Sequence, residues 1–250
     1  MTIALMCIPF AGVGAGLFRP WRAHPARTFE VVPVQLPGRE EQFIEEPLTS
    51  MDAAADLCAA QVRAAAGDDR PYALFGHSFG ALLAYETSRR LLADGFRPPR
   101  RLIVSGAAAP FLHREKSGAA TLPDDEFAAR LQSLVGYDHA SLHDPDLREL
   151  LLPALRADML IHDTYAAEVP DSATASALPL SVLRGESDAL VSRADANQWS
   201  AVTSADAEFD DVPGNHMYLT DAWPALWDRI DGILAGEHEP QEWEAAPAGA

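Results

Sequence analysis

The chain has 250 residues, 48% of them apolar, and a formal net charge of -18 at pH 7. Length and apolar content suit one well-buried globular domain and argue against a disordered chain. The charge argues against nucleic acid and anionic membrane surfaces as partners, since both would repel it, and no apolar run reads as a membrane span.

Residues Ile3 to Ile8 form an apolar run ended by Pro9, the pattern of a central parallel strand covered on both faces. The stretch before it shows no basic segment or cleavage-site pattern, so the start reads as a first strand. Cys7 and Cys58 read as buried thiols rather than a disulfide, and a cytoplasmic location is expected. Phe10 to Gly16 is too glycine-rich for a helix interior and reads as a loop, with an amphipathic segment starting at Leu17. Its G-x-G-x-G could suggest a dinucleotide fingerprint, but the third glycine arrives too early and no second βαβ half accompanies it.

Phe29 to Leu36 reads as a second strand, and Pro33 suggests an edge position or an early end. Thr49 to Asp52 starts a helix with good cap chemistry, whose buried stripe runs through Leu57, Cys58 and Val62 to a stop at Gly67. Pro71 to Glu86 then reads as strand, very tight turn and helix, centred on G-x-S-x-G at Gly76, Ser78 and Gly80. Lacking Cβ atoms, the two glycines let strand and helix approach closely around a strained turn that pushes the Ser78 hydroxyl outward. Ser78 is therefore the candidate nucleophile. Arg101 to Gly106 is another short buried strand, so strand and helix alternate and point to a mostly parallel sheet with helices on both faces.

Between Ala107 and Leu178 the alternation breaks. Helical segments are predicted at Asp124 to Leu134 and Pro145 to Tyr165, with breaks at Gly136, Asp138 and Pro153. Such an insertion, about 110–176, is most simply a lid over the C-terminal edge of the sheet; the plainer alternative is a packed subdomain with no gating role. Leu178 to Asp188 resumes the sheet and ends in a polar turn, and Ala205 to Val212 is a last strand before the loop carrying His216 and a final helix through Trp223, Leu226 and Ile230. The domain is expected to occupy 1–236. Residues 237–250, acidic and rich in Ala, Pro and Gly, read as a disordered tail.

Ser78, Asp188 and His216 occur in the chain order of an α/β-hydrolase triad, each where a strand ends and a loop begins. Backbone N-H groups of Ala11, in the loop after the first strand, and Phe79, after the nucleophile, would form the oxyanion hole. Asp210 and Asp211 are rivals for the acid, but at the end of their strand they are expected to face solvent. His77 is expected to pack, and His139 with His143, spaced i to i+4, read as a solvated lid turn in preference to metal ligands.

Several stretches together resemble the type II thioesterases of polyketide and nonribosomal peptide synthesis: Ile8 to Gly12, Phe18 to Trp21, Gln35-Leu36-Pro37-Gly38-Arg39-Glu40, Gly76 to Gly80, Val104 to Gly106 with Ala109-Pro110, Leu155-Arg156-Ala157-Asp158, Gly185 to Asp188, and Gly214 to His216. The likeness spans about Ile3 to Ile233. It departs from the common family pattern at Val13, Phe79, Met217 and Gln42. The resemblance implies an α/β-hydrolase fold with a helical lid and an editing enzyme that hydrolyses acyl groups from phosphopantetheine thiols of acyl- or peptidyl-carrier proteins. It also implies Ser78, Asp188 and His216 as triad and Ala11 and Phe79 as oxyanion donors; no cofactor or metal is expected, partners are expected to be transient, and a monomer is the default. A generic esterase acting on free small molecules is the alternative, and a catalytically dead binding partner a third. Carrier proteins are generally acidic, so two negative surfaces must meet. Arginines clustered at Arg19, Arg22 and Arg27 and at Arg89, Arg90, Arg97, Arg100 and Arg101 could offset this locally or be ordinary solvated arginines.

Overall fold

In each central strand, successive side chains leave for opposite faces, and here both faces are apolar. The computed structural model describes residues 2–25, 28–114, 116–135, 144–169, 177–241 and 243. Strands β1 (Ile3–Ile8), β2 (Phe29–Pro33), β3 (Tyr72–His77), β4 (Leu102–Ser105), β5 (Leu180–Gly185) and β6 (Ala207–Val212) form a parallel sheet in the order β2-β1-β3-β4-β5-β6. β1 sends Ala4, Met6 and Ile8 to one side and Leu5 and Cys7 to the other. Pro33 does end its strand, and that strand lies at the edge of the sheet, as its missing donor demands.

The helices are α1 (Arg19–Ala23), α2 (Met51–Ala66), α3 (Phe79–Ala93), α4 (Asp124–Val135), α5 (Pro145–Thr164), α6 (Arg193–Asn197), α7 (Tyr218–Asp221) and α8 (Trp223–Ala235). Helices α2 and α3 cover one face and α1 and α8 the other, where Phe18, Trp21, Phe75 and Trp227 pack together. Helix α2 starts where expected, with the Ser50 hydroxyl accepting from the Ala53 N-H at 3.2 Å. The fold is the mostly parallel, helix-flanked sheet of an α/β-hydrolase.

The chain departs from expectation in two places. Pro153 does not break the second insertion helix but lies inside the 20-residue α5, where burial of Leu152, Ala154, Ala157 and Ile161 offsets the lost backbone bond. The described residues past α8 are not a free tail. Gln241 donates its backbone N-H to the Phe209 carbonyl at 3.2 Å, and the Trp243 ring packs on that of Phe209 at 5.4 Å. One aromatic residue thus anchors an otherwise polar segment to the open edge of β6. His139, His143 and Arg27 lie outside the described residues, among which no helix is long and apolar enough to cross a membrane.

Candidate active site

Ser78 sits between β3 and α3 with φ 54° and ψ -118°, a left-handed conformation rare for a residue with a side chain. The flanking glycines explain how the turn closes. A Cβ on Gly76 would strike the Gly80 carbonyl oxygen, and one on Gly80 would strike that of Pro9. Only hydrogen atoms fit there.

His216 follows β6 and Asp188 follows β5, and parallel pairing brings the ends of both strands to one edge. Gly185 matters to this approach, since its Cβ would meet the Asn215 carbonyl oxygen at 2.5 Å. His216 Nδ1 lies 2.8 Å from Asp188 Oδ2, and its Nε2 lies 3.3 Å from Ser78 Oγ. A carboxylate only accepts, so Nδ1 carries the proton and Nε2 is left to accept from the serine hydroxyl. Asp188 Oδ1 accepts from the backbone N-H groups of Leu190 at 2.8 Å and Val191 at 3.1 Å. Burial pushes the Asp188 pKa up, but the bonds from His216 and these amides outweigh it and hold the carboxyl below its ordinary value. The aspartate stays ionised.

Ala11 and Phe79 both line a cavity of about 650 Å³ that also reaches Ser78 and His216. Phe79 opens α3, so its N-H has no partner within the helix and is available to a ligand. Apolar side chains of Leu82, Leu131, Leu155 and Met159 form much of the wall, and the last two come from α5 of the insertion. The site thus brings a hydroxyl hydrogen-bonded to an imidazole to the wall of a largely apolar cavity, with the loop bearing Ala11 and the free first N-H of α3 beside it.

The thioesterase domain family matches residues 4–234, nearly the whole chain. The chain belongs to the thioesterase family. It is 32% identical over 217 residues to the gramicidin S biosynthesis protein GrsT of Aneurinibacillus migulanus, covering 87% of this chain and 83% of that one. Among solved structures it resembles the type II thioesterase BorB from the borrelidin biosynthetic cluster, at 33% identity and TM-score 0.82, covering 94% of this chain and 93% of BorB. It also resembles YbtT, a type II thioesterase from the yersiniabactin pathway, at 31% identity and TM-score 0.82 over 95% of each chain.

The other candidate residues of this thioesterase have structural partners. Asp210 and Asp211 do not face solvent, because each is buried within an ion-pair cluster that neutralises it. Asp211 pairs with Arg184 at 2.9 Å and with Arg193, while Asp210 pairs with Arg229 and lies 3.0 Å from His238 Nε2. His77 is buried with its Nδ1 2.9 Å from Ser105 Oγ, which contacts the Tyr218 hydroxyl, which in turn donates to the Leu183 carbonyl at 3.2 Å. Burial, then the neighbouring His216, lowers the His77 pKa to about 3, so its imidazole is neutral. Among the arginines named from the sequence, Arg89 pairs with Glu86, Arg90 with Asp52 and Asp56, and Arg101 with Glu208, while Arg97 donates to backbone carbonyls.

Two of the stretches quoted from the sequence are tied together in a way that sequence reasoning missed. Asp158, on α5, accepts from Arg39 at 2.6 and 3.0 Å and from the Gly12 N-H at 2.7 Å, and both side chains are almost fully buried. One carboxylate thus joins the insertion, the loop after β2 and the loop bearing Ala11. Leu-Pro-Gly-Arg-Glu and Leu-Arg-Ala-Asp hold the signal: a charged residue inside each apolar context needs an opposite charge.

Proposed function

We propose that this thioesterase hydrolyses acyl groups from the phosphopantetheine thiols of acyl- or peptidyl-carrier proteins, as an editing enzyme of polyketide or nonribosomal peptide synthesis. Ser78, His216 and Asp188 are its catalytic triad, Ala11 and Phe79 its oxyanion donors, and residues 110–176 the lid of one domain spanning 1–236. It acts as a monomer in the cytoplasm with no cofactor of its own, meeting its carriers transiently. The hydrogen-bonded chain from Ser78 through His216 to Asp188, opening on an apolar cavity, carries the reading.

In the first half-reaction Ser78 Oγ attacks the thioester carbonyl while His216 Nε2 takes its proton. The negative oxygen is held by the Ala11 and Phe79 N-H groups. As the C-S bond breaks, His216 returns the proton to the leaving thiolate, giving free thiol and acyl-Ser78. Water, deprotonated by the same imidazole, then attacks the ester and releases the carboxylic acid and the serine hydroxyl. Asp188 holds the productive tautomer and stabilises the imidazolium formed in each half.

A fluorophosphonate probe should label Ser78 in the wild-type protein and fail to label His216→Ala. One acyl group offered on a carrier protein, on a small thiol and as a free oxygen ester should give the highest kcat/KM on the carrier. Equal or better turnover of the free ester would replace the proposal with a generic esterase.

A further inference from the structure

Most charged groups that line the cavity are already matched. Arg39 faces Asp158, Glu40 accepts from the Gly16 N-H, and Asp195 accepts from the Ser192 hydroxyl. Arg114 differs. Its guanidinium donates only to backbone carbonyls, Tyr165 at 2.6 Å and Pro110 at 3.4 Å, and lies 5.5 Å from the centre of the Tyr165 ring. Its Nε is buried without a hydrogen-bond acceptor, and among the described residues no carboxylate lies within ion-pair distance. Beside it His162, also lining the cavity, keeps a buried Nδ1 without a hydrogen-bond partner, Asp163 Oδ1 lying 3.7 Å away. Burial and then the Arg114 charge depress the His162 pKa, as expected where a cation is left uncompensated.

A partly buried guanidinium without a counter-ion is costly unless an anion arrives with the ligand. The segment around Arg114 reaches the surface. His113 both lines the cavity and is exposed, and exposed Lys116 is the single lysine of the chain. Leu82, Leu155 and Met159 give the same cavity an apolar wall. Because exposed residues flank Arg114, an anion held there belongs with the part of the substrate that leads out to the surface.

We propose that Arg114, supported by Lys116, is the phosphate subsite of this cavity and binds the phosphodiester through which a phosphopantetheine arm is carried. The inference rests on the phosphopantetheine reading above. A local cationic contact of this kind also lets a chain of charge -18 hold an anionic substrate.

Binding to Ser78→Ala, which needs no hydrolysis, separates the subsite from the proposed reaction. By calorimetry, propionyl-4′-phosphopantetheine should bind roughly tenfold tighter than propionyl-pantetheine. Adding Arg114→Gln should collapse that ratio toward one, and Arg114→Lys should keep part of it. Because the ratio is taken within each variant, any general loosening from the lost Pro110 and Tyr165 bonds cancels. Equal binding of the two ligands by Ser78→Ala, no binding of either, or a ratio untouched by Arg114→Gln overturns the subsite. So does malonyl-pantetheine binding that alone depends on Arg114, which would place the anion on the acyl group. Failure of the wild-type enzyme to hydrolyse any acyl-pantetheine, with the binding ratio intact, would count against the reaction and not against the subsite.

Discussion

At the scale of single residues, the site depends on side chains whose neighbours leave them one state. His216 is held in one tautomer because Asp188 can only accept, and Asp188 stays ionised because two amides and an imidazole bond it. His77 shows the opposite solution, an imidazole kept neutral by burial and lying next to Ser78 in the chain. Its folded pKa of about 3 lies below the ordinary 6.5, so the unfolded chain takes up a proton where the folded one does not. Its contribution is fully present above pH 6.5 and is lost as pH falls toward 3, by about 1.4 kcal/mol per pH unit. Urea unfolding at pH 6.5 and 5.0 should therefore show a smaller stability loss for His77→Asn than for the wild-type protein. Equal losses would mean that His77 is protonated within the fold. Ser78 as candidate nucleophile is readable from its two glycines, whereas the neutral state of His77 is not, because it depends on burial in the assembled fold and on His216 arriving from the loop after β6.

At the scale of elements, both the strands and the two insertion helices follow closely from the sequence, α4 and α5 each ending within one residue of the expected bound. The apolar runs of β1, β3, β4 and β5 are short and bounded by Gly or Pro, so their type and approximate ends follow from pattern alone. Within the insertion one punctuation mark misleads. Pro153 reads as a break, yet the packing of α5 outweighs it, and Asp210 and Asp211 read as solvated because their partners, Arg184, Arg193 and Arg229, come from separate segments. The same limit hides the Arg39 and Asp158 pair, which fastens α5 over the loop bearing Ala11. Removing one member leaves a buried charge alone. Asp158→Ala should lose about 3 to 5 kcal/mol of unfolding free energy, whereas Arg39→Met with Asp158→Leu should recover most of it. A loss below about 1 kcal/mol in the single variant, measured by denaturant unfolding, would show that the pair does not secure the insertion.

At the scale of the whole molecule, a parallel sheet gathers the ends of β3, β5 and β6 at one edge, so three residues distant in sequence meet under α5. Chain order makes that meeting predictable; the shape of the cavity is not, since its wall is shared among loops and the insertion. The negative charge has its own consequence. Arg89, Arg90 and Arg101 are engaged by carboxylates of this same chain, which weakens their attraction to an acidic carrier. The most direct measurement is intact-protein mass spectrometry of a propionyl-carrier protein incubated with the enzyme. The carrier should lose the propionyl mass while retaining its phosphopantetheine arm, and Ser78→Ala should slow this by about 10⁶-fold. A carrier that keeps its propionyl group, or loses it equally fast with Ser78→Ala, would contradict the account.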